Sequence, residues 1–314
     1  MNRNLCRFNY LSIVLGGAAT VITVAISQII IVSAKSAPQI NRIAQNTTVQ
    51  INNNADSPGG SGVIVSKQGN TYGVLTANHV VCDVIPNRNP LICRDDIAYT
   101  IRTSNGKEYP VNIARLQNKK NDADLAIVFF NSDGNYPVAK IGNSNQVVAG
   151  SPIYVYGYPA SQGRSGSKRE AEFSPGFVTS RPNKRPQGYN LRYNAVTQIG
   201  MSGGAVFDSE GRVVGIHGQG DLEGELESGS GSKVMIKSGW NAAIPINIFM
   251  KQKSKVKLKD LELIVDNSLS DSKIPQINNP SNARGYNVRA SVLYEQQNYT
   301  ESIEASTQAL QKFL

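Results

Sequence analysis

The sequence predicts an all-β fold, a barrel or a sandwich, closed by a short helical hairpin. Three observations carry that prediction. Strand-like runs of β-branched and aromatic residues recur at short spacing, and clusters of Gly, Asn, Asp and Pro separate them. Helical periodicity is nearly absent before the last thirty residues. The runs are 62–66, 72–77, 97–103 and 125–130 in the first half, then 152–158, 177–180, 191–197, 205–207 and 213–217 in the second. A short closing helix is expected to start within 244–249, with Pro245 near its first turn. At 314 residues the chain has room for more than one domain.

The flanks are of different character. Arg3 and Arg7 precede an almost uncharged apolar stretch over 11–32, and Val32-Ser33-Ala34 offers small residues for cleavage. A signal peptide is one reading of 1–37. An uncleaved N-terminal anchor is the other, since roughly 20 apolar residues span a bilayer. Positive residues on the N-terminal side would then leave the rest of the chain outside. Either reading exports the remainder to the periplasm, the medium or the outer face of the cytoplasmic membrane. Residues 38–57, rich in Asn, Gln and Thr, read as a linker or first edge strand, and 58–250 hold the β domain.

Residues 251–282 read as a basic and polar linker. Lys251, Lys253, Lys255, Lys257 and Lys259 there supply much of the net charge of +9. Such a run can bind an anionic membrane or nucleic acid. An exported protein meets little nucleic acid, and none is assigned as a partner. Cysteine usage agrees with export. Cys6 lies in the positive flank, and Cys82 with Cys93 forms an even pair for which an oxidising compartment permits a disulfide. Such a loop closure contributes about 2–3 kcal/mol, and two free thiols are the alternative. No segment has zinc-site spacing, and no metal or cofactor is assigned.

The chemistry-bearing segment is Gly200-Met201-Ser202-Gly203-Gly204. A serine hydroxyl needs a base beside it and N–H groups aimed at the oxyanion that forms on attack. Flanking glycines let the chain turn tightly enough to expose both. The pentapeptide formally matches the nucleophile elbow of α/β-hydrolases, which requires a helix directly after the serine. Here 205–216 reads as strand, turn and strand around Asp208-Ser209-Glu210-Gly211, so the elbow is disfavoured. The other order is histidine, acid, serine. Of two histidines, His79 ends the strand-like run Gly73-Val74-Leu75-Thr76-Ala77-Asn78-His79. Asp124 opens the apolar run 125–130, with Asp122 as its rival for the acid role.

At these residues the chain resembles the chymotrypsin-like (trypsin-fold) serine peptidases of bacterial type. Thr76-Ala77-Asn78-His79, Asp124-Leu125-Ala126-Ile127 and Gly200-Met201-Ser202-Gly203-Gly204 are similar to that family's three signatures. The resemblance covers about residues 55 to 250. It implies two antiparallel β-barrels, about 58–135 and 136–250, with the active site between them. It also implies His79 as general base, Asp124 as its orienter, Ser202 as nucleophile, and an oxyanion hole made by the N–H groups of Gly200 and Ser202. Met201 stands where the digestive members carry an aspartate that pairs with a newly cut N-terminus. HtrA-type and glutamyl endopeptidases also lack that aspartate.

Val196, six residues before Ser202, replaces the aspartate that selects basic side chains in trypsin-like pockets. Gly215-Ile216-His217, Thr197 and Tyr156-Gly157-Tyr158-Pro159 resemble glutamyl endopeptidases. That likeness implies an acidic residue before the cut, bound by Thr197 and His217. A His217 that packs in the sheet and reads nothing is the competing interpretation. Residues 283–314 have the length and small residues (Ala290, Ser302, Ala309) of one tetratricopeptide repeat, although Arg289 and Ser306 depart from it. One such repeat cannot bury its own apolar face, so either the chain is a shortened array or the hairpin docks on the protease or on a protein partner. A plain amphipathic helical hairpin is the alternative to a repeat. The reading as a whole is an exported serine endopeptidase that acts on proteins or peptides through an acyl-enzyme. A catalytically inactive scaffold on the same fold is the alternative class.

Overall fold

The computed structural model describes residues 34–55, 58–83, 85, 92–116, 122–160, 166–227, 233–253, 261–268, 286, 289–290 and 299–313. The apolar stretch 11–32 lies outside them. Among the described residues no helix is long and apolar enough to cross a membrane.

Two antiparallel sheets make the β domain. The first holds β1 (Thr48–Asn53), β2 (Gly60–Gln68), β3 (Thr71–Ala77), β4 (Tyr99–Arg102), β5 (Glu108–Pro110), β6 (Asn112–Arg115) and β7 (Leu125–Asn131). Their order is β5-β4-β1-β2-β3-β7-β6. The second holds β8 (Pro152–Gly157), β9 (Glu172–Ser180), β10 (Leu191–Tyr193), β11 (Ala205–Phe207), β12 (Val213–Glu227) and β13 (Lys233–Pro245). It closes into a barrel in the order β10-β13-β12-β11-β8-β9. The expected two-barrel, mostly β architecture is thus present, and α2 (Ile246–Lys253) follows β13 directly. The run 191–197 is strand only to Tyr193. Asn194 interrupts it by accepting the Phe177 N–H on its side-chain oxygen at 2.8 Å, which replaces a ladder bond.

Each sheet has its own apolar interior, around Tyr72, Ile101 and Phe130 in the first and Ile153, Val178 and Tyr193 in the second. A third cluster joins them, with Val63, Leu75 and Ile127 packed in one core with Tyr154, Phe207 and Ile244. That shared core fixes the two sheets against each other along the line where β2 and β3 meet the second barrel.

The segment 38–57, expected as a linker or edge strand, is neither. Residues 37–47 form helix α1 (Ala37–Thr47), and 48–53 form the inner strand β1, paired to both β2 and β4. The Ser36 N–H donates to Gln39 Oε1 at 2.8 Å, and Pro38 sits in the first turn, where a missing N–H costs nothing. Ile40 and Ala44, four apart on one face, are fully buried against β2, β8 and β11. Burying Ile40 alone is worth about 2 kcal/mol. Sparse apolar residues hid this segment: Ala37, Ile40, Ile43 and Ala44 suffice because α1 packs on strands of both sheets.

The linker reading of 251–282 also needs correction over 261–268. The Ile141 N–H donates to the Ile264 carbonyl at 2.7 Å and the Asp266 N–H to the Ile141 carbonyl at 2.8 Å. Arg212, 1% exposed, reaches Asp208 Oδ2 at 2.7 Å, Glu210 Oε2 at 3.1 Å and the Ser268 carbonyl at 2.6 Å. A buried guanidinium with several donors to satisfy draws the chain onto the barrel. At the C-terminus α3 (Tyr299–Phe313) is the second helix of the expected hairpin. Of the first, Tyr286, Arg289 and Ala290 are described as helical, and the Ser302 hydroxyl donates to the Ala290 carbonyl at 2.7 Å. The tetratricopeptide pattern still rests on sequence, since most of that first helix lies outside the described residues.

Candidate active site

Strand register brings the histidine to its acid. Along β3 and β7 Ala77 pairs with Leu125, so the residues just beyond, Asn78-His79 and Asp124, adjoin at the strand ends. The Asn78 N–H donates to the Asp124 carbonyl at 3.1 Å, which continues the ladder by one bond. A single 3₁₀ turn (Asn78–Val80) then swings the imidazole over the carboxylate. His79 Nδ1 lies 2.6 Å from Asp124 Oδ2, and the His79 N–H donates to Asp124 Oδ1 at 2.9 Å. Asp124, not Asp122, is therefore the carboxylate on His79. The imidazole side chain is 44% exposed while the Asp124 side chain is 3% exposed, so the ring presents its free edge to solvent.

Asp124 is also held from the second barrel. The Tyr189 hydroxyl donates to Oδ2 at 2.5 Å, and the Asp124 N–H donates to the Gln187 carbonyl at 3.1 Å. Burial works against the charged carboxylate, yet the hydrogen bond and charge of His79, with the Tyr189 hydroxyl, outweigh it and keep Asp124 below its ordinary range. The site thus favours the ionised carboxylate.

Ser202 tops a turn that only glycines can make. Gly200 and Gly203 have φ of +93° and +84°. The Gly204 N–H donates to the Met201 carbonyl at 2.9 Å and the Gly203 N–H to the His217 carbonyl at 2.7 Å. Three contacts press this turn against the first sheet. The Ser61 N–H donates to the Ser202 carbonyl at 2.7 Å, and the Ser61 hydroxyl donates to the Gly200 carbonyl at 2.9 Å. A β-carbon on Gly60 would meet both methyls of Val80 and lie 2.9 Å from the Ser202 carbonyl oxygen. Val80, the neighbour of His79, and Ser202 thus meet over Gly60.

The Ile199 carbonyl accepts the Ala160 N–H at 2.8 Å, so the trans peptide turns the Gly200 N–H the opposite way. Among the described residues no acceptor within the chain meets the Gly200 or Ser202 N–H. Two adjacent donors beside a serine are what an oxyanion needs. Met201 is 1% exposed and belongs to the apolar interior of the second barrel, an environment for a thioether and not for a carboxylate.

The carbonyl side of the turn is held by a cation. Arg169 is 3% exposed and donates to the carbonyls of Tyr158 (2.7 Å), Gly200 (3.3 Å), Ile51 (3.0 Å) and Gly60 (3.1 Å), and to Asn52 Oδ1 at 2.8 Å. Gln50 Nε2 donates to the Arg169 carbonyl at 3.0 Å. Burial pulls the guanidinium down to about 10, still charged at neutral pH.

Thr197 and His217 are both buried, at 5% and 3% exposure. His217 Nδ1 lies 2.6 Å from the Tyr193 hydroxyl, and the Thr197 hydroxyl donates to Asn241 Oδ1 at 2.6 Å. Tyr193 pairs with Asn241 across β10 and β13, and that register joins the two groups. Val196 is exposed beside them. Cys82 and Cys93, just past His79, are bonded to each other.

Sequence reasoning missed Tyr189, Arg169, Ser61, Tyr193 and Asn241. None carries a local signature, and each acts on a partner far along the chain. Gly-Ser-Lys-Arg-Glu at 166–170 reads as a solvated loop, and Gln50 and Asn52, alternating with Val49 and Ile51, read as the solvent face of a strand.

Comparisons with known proteins agree with this geometry. Residues 60–216 match the family model described as a trypsin-like peptidase domain. A protein named serine protease HtrA-like from Staphylococcus epidermidis is 28% identical over 257 residues, covering 77% of this chain and 40% of the relative. One of the same name from Staphylococcus aureus is 30% identical over 165 residues, covering 50% of this chain and 19% of the relative. The chain thus spans well under half the length of these curated relatives. Among solved structures, an HtrA-type protease AlgW with decapeptide has a similar fold, with a TM-score of 0.50 at 18% identity over 70% of this chain and 67% of that one. The family match spans half of the sequence and contains all three signature segments, so the chain belongs to the trypsin-like peptidase domain family.

Proposed function

We propose that this protein is an exported serine endopeptidase that cleaves peptide bonds through an acyl-enzyme. The observation that carries the reading is the His79–Asp124 pair at 2.6 Å, with the Ser202 turn held against the same sheet by the 2.7 Å bond from Ser61. Ser202 Oγ attacks the scissile carbonyl as His79 Nε2 takes its proton. The oxyanion forms at the N–H groups of Gly200 and Ser202. Collapse expels the amine, which takes the proton back from Nε2, and water then repeats the sequence on the ester. Asp124 holds the imidazole in the Nδ1–H tautomer and balances the imidazolium.

An acidic side chain before the cut fits the pocket chemistry. Burial pushes the Tyr193 hydroxyl well above its ordinary range, so it keeps its proton beside His217 Nδ1. Donating that proton to Nδ1 leaves the hydrogen on Nε2, a donor suited to a carboxylate. Export is supported by the Cys82–Cys93 disulfide, which oxidising compartments favour.

A fluorophosphonate probe tests the enzyme. Labelling of the wild type that disappears in Ser202→Ala is expected, and a folded wild type that takes no label would sink the proposal. Peptide libraries test the pocket. His217→Ala is expected to cut kcat/KM for Glu-containing substrates about 100-fold while sparing the residual turnover of apolar ones. An unchanged preference removes the acidic pocket and leaves the triad standing.

A further inference from the structure

Gly218 has no side chain, and the space beside it is filled from elsewhere in the chain. A β-carbon on Gly218 would fall on the Tyr189 hydroxyl and lie 3.0 and 3.1 Å from Cε1 and Cζ of that ring. Tyr189 is 2% exposed and sends its hydroxyl past Gly218 to Asp124 Oδ2 at 2.5 Å. The same short segment takes hold of the Asp124 backbone through the Gln187 carbonyl at 3.1 Å. Gln187 adopts φ +56°, a conformation a side-chain-bearing residue rarely holds without surrounding constraint. Asn190 closes the segment by accepting the Arg185 N–H on Oδ1 at 2.8 Å. A strained loop of the second barrel therefore exists in a form that delivers two hydrogen bonds to one aspartate of the first.

We propose that Tyr189 is a positioning residue of the triad, whose hydroxyl locks the Asp124 carboxylate in the orientation that presents Oδ2 to His79 Nδ1. The proposal rests on the triad reading above. Asp124 receives three donors: the His79 N–H on Oδ1, and His79 Nδ1 with the Tyr189 hydroxyl on Oδ2. Together they stop rotation about the Cβ–Cγ bond. Tyr189 also draws charge from Oδ2, which tempers how tightly the carboxylate holds a protonated imidazole. The titratable groups around the pair are His79 and Tyr189 themselves, Tyr193 beside Tyr189, His217 beyond Tyr193, and Asp122 two residues upstream. Removing the hydroxyl leaves more charge on Oδ2, so the imidazolium gains and the acid limb of activity moves to higher pH.

The test is the pH profile of full-length Tyr189→Phe on a peptide substrate, with Ser202-dependent probe labelling measured in parallel. Expected are a kcat lowered about tenfold with KM unchanged, and an acid limb of kcat/KM raised by about half a pH unit. A purely structural role for the ring leaves the limb in place, because Phe keeps the ring. A second variant guards against loss of folding. Tyr189→Ala vacates the space, and adding Gly218→Ser puts a hydroxyl on a β-carbon aimed at the vacated position. The double variant is expected to recover both rate and limb relative to Tyr189→Ala. An active wild type with Tyr189→Phe matching it in kcat and limb overturns the role of Tyr189 alone. A wild type without Ser202-dependent labelling overturns the triad, and this proposal with it.

Discussion

Asp124 concentrates the electrostatics of the site in one residue. Its carboxyl is lowered from 3.8 in spite of 2% exposure, through bonds from His79 and Tyr189. A depressed folded-state value adds stability that is complete above the unfolded value and is lost as pH falls through the folded one. Asp124→Asn is therefore expected to cost about 1–3 kcal/mol of unfolding free energy at pH 6, and progressively less below about pH 4. Denaturant titrations of both proteins across that range check it; a gap that stays constant down to pH 2 contradicts it. His79, Asp124 and Ser202 were legible in the sequence because each sits in a short signature at a strand end. Tyr189 was not, for its bond spans 65 positions and depends on an empty Gly218.

Elements were legible where short apolar and β-branched runs bounded by turn residues marked them, as in β3, β7 and β11. β1 was legible only as a linker or edge strand, because its polar residues Gln50 and Asn52 face Arg169 instead of an apolar core. α1 was missed because its apolar residues are few, and only the presence of both sheets buries them. The loop ending in Arg169 is an element in function though irregular in form, since it fastens β1, the start of β2 and the Gly200 turn. Replacing the guanidinium with Met leaves several buried carbonyls without a donor. Arg169→Met is expected to lower stability by about 3 kcal/mol and to reduce probe labelling of Ser202 more than overall folding. Urea unfolding and labelling rates measured on the same sample check this. A variant of wild-type stability and labelling would show that water takes over those carbonyls.

On the scale of the whole molecule, strand spacing gave an all-β class and the family resemblance of the three motifs implied the two-barrel plan, whereas the contacts that lock the barrels together were not readable. Apolar periodicity reports which face of a strand is buried and carries no information about which distant polar group will meet it. Beside the shared apolar core, the link between barrels includes such groups: Ser61 to Gly200, Arg169 to Ile51 and Tyr158, Tyr189 to Asp124. The same limit applies to residues 261–268, whose attachment joins buried Arg212 and the Ile141 backbone to the packing of Leu261 and Leu263, partners far along the chain.

On the peptidase reading proposed above, Arg169 bears on a hazard that a protease faces during its own synthesis. Its donors reach β1 and Gly60 on one side and Tyr158 and Gly200 on the other, so the Gly200 turn is fully braced only when both sheets have docked. A nascent chain with one sheet formed has a serine and a histidine but no braced cradle for the oxyanion. Its unfolded sister chains, the most cleavable peptides in its surroundings, are then safe from it. On that reading, self-digestion is deferred until the molecules able to cut are also the ones too well folded to be cut.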